Sequence, residues 1–306
     1  MVEWFKAVFL GLLQGLTEFL PISSSAHLRI FPDLFGWRDP GASFTAVVQI
    51  GTELAVLLYF RNDIWNIAKT WVLSLFRPDL RSHTDARMGW YVIVGTIPIG
   101  LLGIAFQDQI KTGARNLWIV GTTLVVMGLV LGAAERVAKL HRAADDLRMR
   151  DGLLCGLAQA AALIPGVSRS GATISMGLAL GQQRATATRF AFLLAIPAVV
   201  AAGLFQIEDV TSGDTPYSNG QTILATIVAF GVGYAAIAWL LRYVSTHTYT
   251  PFVVYRVALG VLVLLLVATG VLDAKSDIEA APNPSSPSSP SSPSSPAVAG
   301  PPATGP

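Results

Sequence analysis

The sequence predicts an all-α polytopic membrane protein built as an inverted-topology repeat, each half being one re-entrant helical hairpin followed by three transmembrane helices. Three observations predict it. Hydrophobic residues make up 52% of the 306-residue chain and charged residues only 13%, about half the charged share of a soluble domain. Six long apolar runs (42–60, 90–106, 117–134, 190–205, 223–241 and 252–272) carry few charges, and each approaches the roughly 20 residues with which a helix crosses a bilayer. Two polar stretches, one in each half of the chain, echo one another inside otherwise apolar sequence.

The first stretch is Gln14-Gly-Leu-Thr-Glu-Phe-Leu-Pro-Ile-Ser-Ser-Ser-Ala-His27, and it continues an apolar helical segment that begins at Trp4. The second is Gln159-Ala-Ala-Ala-Leu-Ile-Pro-Gly-Val-Ser-Arg-Ser-Gly-Ala-Thr173. Aligned on Pro21 and Pro165, both read as apolar helix with one glutamine, then proline, then a hydroxyl-rich turn, then helix again. Neither suits a crossing helix. Glu18 at the bilayer centre would cost about 2.5–3.5 kcal/mol, and Pro21 with three serines breaks the helix midway. Backbone of that kind is tolerated at membrane depth only where protein or a wet cavity encloses it. Residues 1–30 and 152–181 are therefore expected to dip in and leave on the same side, with tips at 21–25 and 165–170. Three crossings after each hairpin is an odd number, so the second half (136–279) should lie upside down relative to the first (1–135). Broken elements of the two halves then meet near the midplane. Residues 280–306 are Pro/Ser repeat with nothing to bury, and should form an extended, solvated tail dispensable for chemistry.

Loop charges set the orientation. Segment 61–87 carries Arg61, Lys69, Arg77, Arg81 and Arg87, and segment 135–151 carries Arg136, Lys139, Arg142, Arg148 and Arg150. Segment 107–116 has only Lys111 and Arg115, while 206–221 has Glu208, Asp209 and Asp214 and no base. The first two loops read as cytoplasmic and the last two as external, which makes both termini external. A net charge of +2 names no partner, and with no basic stripe nucleic acid is not expected. The lone Cys155 makes neither a disulfide framework nor a cysteine metal cluster. No cleavable leader is evident. Nucleotide-loop, zinc-helix and EF-hand motifs are absent, so no nucleotide cofactor is expected.

Glu18, the serines, His27 and Arg169 together form a phosphate-chemistry set: acid, nucleophile, titratable base and guanidinium. Gln14 and Glu18, four apart, share a helical face. Glu18 reads either as a solvated helix residue or as an intramembrane carboxylate placed for function, acting as general base or cation ligand. Ser23, Ser24 and Ser25 either cap a half-helix or offer hydroxyls to phosphorus, where the helix start supplies amides and a positive dipole end. His27 reads as a satisfied buried histidine or as a partner of those hydroxyls. Gly166, Ser168 and Ser170 flank a nest of backbone amides suited to an anion, and Arg169 adds a planar fork matched to phosphate oxygens. Thr173 is a further hydroxyl one turn on. Glu53, four residues after Gln49, either lines the same cavity or pairs with a neighbouring helix; Arg189 either faces the cavity or anchors at the cytoplasmic surface.

Gln-x-x-x-Glu followed by Phe-Leu-Pro-Ile-Ser-Ser-Ser-Ala-His-Leu, with Pro-Gly-Val-Ser-Arg-Ser-Gly-Ala-Thr in the second half, resembles the undecaprenyl-pyrophosphate phosphatases of the bacitracin-resistance-protein family. The likeness covers residues from about 5 to 272 and includes Gly-Thr-Ile-Pro-Ile-Gly-Leu-Leu-Gly (95–103) and Arg-Phe-Ala-Phe-Leu-Leu-Ala-Ile-Pro (189–197). The resemblance implies an enzyme of the bacterial inner membrane that removes one phosphate from a long polyprenyl diphosphate, recycles the cell-wall carrier lipid and confers bacitracin resistance. It implies an active site open to the external face and a divalent cation, Mg2+ or Ca2+. Carried over, the essential acid falls on Glu18, the motif serine on Ser24, the histidine on His27 and the arginine on Arg169. The first motif position, Glu or Gln in the family, is Gln14 here, which weakens a cation site built on a carboxylate pair; Glu53, where the family is expected to have an apolar residue more often, is the candidate to compensate. Membrane lipids are the expected surroundings, and a homodimer is compatible with the sequence. The rival reading is a transporter or flippase for a lipid phosphate or another anion, since inverted repeats with re-entrant hairpins also build carrier sites.

Overall fold

The computed structural model describes residues 1–106, 109, 116–205 and 215–274. The expected external charges Lys111, Arg115, Glu208, Asp209 and Asp214, and the 280–306 tail, lie outside the described residues. The described chain is helical, with α1 Val2–Phe19, α2 Ser24–Leu34, α3 Gly41–Tyr59, α4 Arg61–Phe76, α5 Thr84–Ala105 and α6 Leu117–Val137 in the first half. The second half contains α7 Met149–Ala160, α8 Arg169–Ala179, α9 Arg184–Phe205, α10 Asn219–Tyr243 and α11 Thr250–Ala268. Local chemistry explains the ends. Leu20, the residue before Pro21, is extended at φ −66°, ψ 144°, as the proline ring requires of its predecessor. Asn116 caps α6 by accepting from Trp118 N at 2.9 Å, and Ser218 and Gln221 form a capping box on α10.

Five of these helices (α5, α6, α9, α10 and α11) are long and apolar enough to cross a membrane, and α3 with α4 makes a sixth candidate bent by 66°. The basic segment 61–87 therefore differs from its expected loop character, because it contains α4. Trp65, Trp71, Leu73, Leu75 and Phe76 lie between its charges, and a count of arginines hides that helical run. Both hairpins form as helix–turn–helix units, α1 against α2 and α7 against α8. Each hairpin then leans on helices of the other half. α1 packs on α10 and α7 on α5; α3 packs on α10 and α9 on α5; α6 packs on α11. This reciprocal pairing is compatible with the repeat expected from sequence.

Lipid is as apolar as leucine, so helices in a membrane associate by close packing of small residues. A Cβ at Gly11 would lie 2.3 Å from Ala225 O of α10, and one at Gly156 only 2.1 Å from Gly95 O of α5. Both obstacles are backbone and cannot rotate away. Gly156→Ala should therefore destabilise by at least the about 1–3 kcal/mol of an overpacked core, read as a lower thermal midpoint in detergent. Gly231→Ala, with nothing within 4 Å of the new methyl, should leave the midpoint unchanged or raise it.

Candidate active site

Each hairpin breaks at a serine in an uncommon conformation. Ser23 caps α2 with φ 75° and accepts from Ala26 N at 3.4 Å; Ser168 caps α8 with φ 72° and accepts from Gly171 N at 3.1 Å. A non-glycine residue at positive φ costs about 1–3 kcal/mol and collects at functional sites, and here it occurs at the same place in both turns. The caps set the correspondence: Ser24 matches Arg169, Ser25 matches Ser170, and Gln14 matches Gln159. Aligning the prolines slips the register by one residue, because proline marks only the start of the break. Gly166, at φ +86°, has a second constraint, since its Cβ would meet Thr123 Oγ1 at 2.1 Å.

The two tips touch. Gly166 N donates to Ser25 Oγ at 3.5 Å, and Ser170 Oγ donates to Leu20 O at 3.2 Å. Glu18, the penultimate residue of α1, is the junction. Its Oε1 accepts from Arg169 Nη2 across the interface. Its Oε2 accepts from Ser24 Oγ at 2.5 Å and from Gln14 Nε2 at 3.1 Å, and Gln14 Nε2 also reaches Thr52 Oγ1 at 3.5 Å. One carboxylate thus bridges a hydroxyl at one half-helix start to a guanidinium at the other. Glu18 and Arg169 face an open cavity together with Ser170, Thr52 and Glu53, against an apolar wall that includes Val56 and Phe192. Glu53 accepts from Gln49 Nε2 at 3.1 Å. Gly203 on the facing helix keeps that carboxylate's space free, since a Cβ there would lie 3.0 Å from Glu53 Oε2.

Other expected site residues stand apart from this cavity. His27, expected to handle protons, is 1% exposed. Its Nδ1 donates to Ser23 O at 2.6 Å, so its Nε2 accepts from Tyr255 OH at 2.7 Å. The ring stacks between Phe31 and Tyr255. With both nitrogens engaged, it fastens the first tip to α11 rather than facing Glu18. Arg189 pairs with Asp63 of α4, a contact of the kind the anchoring alternative calls for, and is not among the residues lining the cavity. Ser23 and Ser168 act as caps and contact Ser25 and Ser170 at 3.2 and 3.1 Å. Thr173 Oγ1 is buried without a partner among the described residues.

Comparison with known proteins settles the family. The model for "Bacitracin resistance protein BacA" matches residues 7–262. The chain belongs to the BacA family. It is 64% identical to a protein of Nocardioides sp. over 90% of this chain and the whole of that relative. It is 56% identical to one of Thermobifida fusca (90% of this chain, 94% of the relative) and 54% identical to one of Mycolicibacterium smegmatis (90% and 100%). All three relatives are named undecaprenyl-diphosphatase.

In this BacA-family chain no group of three or more His, Cys, Asp or Glu side chains forms a metal cage among the described residues. Mg2+, however, is commonly held by one or two carboxylates with substrate phosphate and water completing its shell. Glu18 and Glu53 both line the cavity, with Arg169 on the same wall, and Gln14 Oε1 is buried with no hydrogen-bond partner among the described residues. Two carboxylates on one cavity are a donor set that fits such an ion.

Sequence reading of this BacA-family chain missed Tyr255, the partner of His27, and two further groups. Thr52 supports Gln14 from α3, and Arg256 of α11 is buried at both tips. The signal for Arg256 was present, since an ionisable residue inside an apolar run of spanning length marks function by default.

Proposed function

We propose that the chain is an undecaprenyl-diphosphate phosphatase that releases the terminal phosphate of its lipid substrate on the external side of the bacterial cell membrane. The observation that carries this reading is Glu18, whose two oxygens join Ser24 of one tip and Arg169 of the other. The family membership and the names of its relatives support the substrate; the excess of basic residues in 61–87 and 135–151 supports the orientation.

The diphosphate enters the cavity and competes with Glu18 for the Arg169 fork, while the first amides of α2 and α8 meet its oxygens. Glu18, released from Arg169, takes the Ser24 proton. Ser24 Oγ forms a bond to the terminal phosphorus as the bond from phosphorus to the bridging oxygen breaks, and undecaprenyl phosphate leaves. Glu18 passes that proton to the departing lipid phosphate. Water then attacks the phosphoserine phosphorus as its bond to Ser24 Oγ breaks; Glu18 takes the water proton and returns it to Ser24 Oγ, and orthophosphate departs. His27 and Tyr255 hold the tip that carries Ser24. A divalent cation held by Glu18 and Glu53 would supply further neutralisation of phosphate charge. Phosphoryl transfer needs mainly positioning and charge stabilisation, and these residues provide both.

Purified protein in detergent, given undecaprenyl diphosphate and no membrane gradient, should release one orthophosphate per lipid. A carrier or flippase would release none, and that result would overturn the hydrolase reading.

A further inference from the structure

Arg256 is fully buried, at 0% exposure in the middle of α11, and none of the described ion pairs includes it. Its guanidinium is spent on backbone instead. Nη1 donates to Pro21 O at 3.1 Å; Nη2 donates to Gly166 O at 2.9 Å and Val167 O at 3.0 Å; Nε reaches Leu124 O of α6 at 3.5 Å. Three of these four carbonyls lie in the last residues before the caps Ser23 and Ser168. One rigid fork therefore holds both broken turns, and Nη1 also abuts the first turn of α8, where a Cβ on Gly171 would lie 2.7 Å from it.

Stability alone does not account for this choice. A buried ion is expensive to desolvate, and apolar residues of similar volume usually serve a core at least as well. The charge also lies behind two helix N-termini, whose dipoles repel a cation. What a planar fork offers and a hydrophobic side chain does not is simultaneous, directional hold on carbonyls from separate segments. From this geometry, and resting on the phosphatase reading above, we infer that Arg256 is a positioning residue for the reaction. It keeps the two tips in register so that Ser24 and Arg169 address the same phosphate. It touches neither the cavity nor the reacting atoms.

Arg256→Lys keeps the charge and loses the fork. Phosphate release should fall about 100-fold in kcat, the scale of an ångström-sized misplacement, with KM for undecaprenyl diphosphate within about threefold, since the binding groups remain. Gly171→Ala retains Arg256 but pushes its Nη1 aside, and should show the same split. Hydrogen exchange of peptides covering 20–26 and 165–171 should accelerate in both variants without substrate, while α5 is unchanged. The exchange readout does not depend on activity, so wild-type protein that released no phosphate would overturn the hydrolase reading and leave this arm to decide whether Arg256 holds the tips. If Arg256→Lys does not fold, Gly171→Ala decides. A folded Arg256→Lys or Gly171→Ala with kcat near wild type, or one that changes KM alone, overturns the inference, as does unchanged exchange at both tips.

Discussion

Arg169→Ala is expected to reduce phosphate release from undecaprenyl diphosphate by about 1,000-fold, the lower end of what a transition-state arginine contributes in phosphoryl transfer. Two effects combine. The guanidinium that neutralises the diphosphate is lost, and the half-buried Glu18 carboxylate loses its only ion-pair partner among the described residues. An uncompensated carboxylate then stands where a dianionic phosphate must bind, so KM should rise along with the fall in kcat. Arg169→Lys should restore little, because an ammonium is a point charge and cannot present two parallel donors to phosphate. Steady-state kinetics in detergent measures both constants. Release by Arg169→Ala within tenfold of wild type would mean that the tip-to-tip ion pair is structural only.

Glu18→Gln should cost a comparable factor by a different route. The amide keeps the size of the side chain but cannot accept the Ser24 proton, and general-base catalysis contributes typically 10²–10⁴-fold. Removing the negative charge also frees Arg169 for substrate. The variant should therefore lose kcat while KM stays level or drops, opposite to the KM change in Arg169→Ala. That contrast separates the two roles even though the side chains touch. Equal KM increases in both variants would show Glu18 to be a binding prop and not the base.

Much of this architecture is legible in sequence because the membrane imposes local rules. Backbone polar groups in lipid must pair within their own helix, so hydropathy alone marks α5, α6, α9, α10 and α11. The proline and serine breaks mark the two hairpins for the same reason. The helix α4 was less legible, since its charges alternate with exposed apolar residues and resemble a basic loop. His27 shows a different limit. A histidine beside serines and a glutamate suggests a proton relay, yet the ring turns toward Tyr255, 228 positions away in sequence. Nothing in the local pattern distinguishes those two directions.

Composition and spacing by themselves determined the helical membrane class, the paired breaks and the set of groups able to handle a phosphate. These follow from the cost of placing polar groups in hydrocarbon, which acts residue by residue. Only the tertiary structure decided that Glu18 meets Arg169 across 151 positions, and that Arg256 reaches back 235 positions to Pro21. Such contacts depend on which helices pack together, and that is set by small-residue crossings such as Gly156 on Gly95, whose partners no local pattern names.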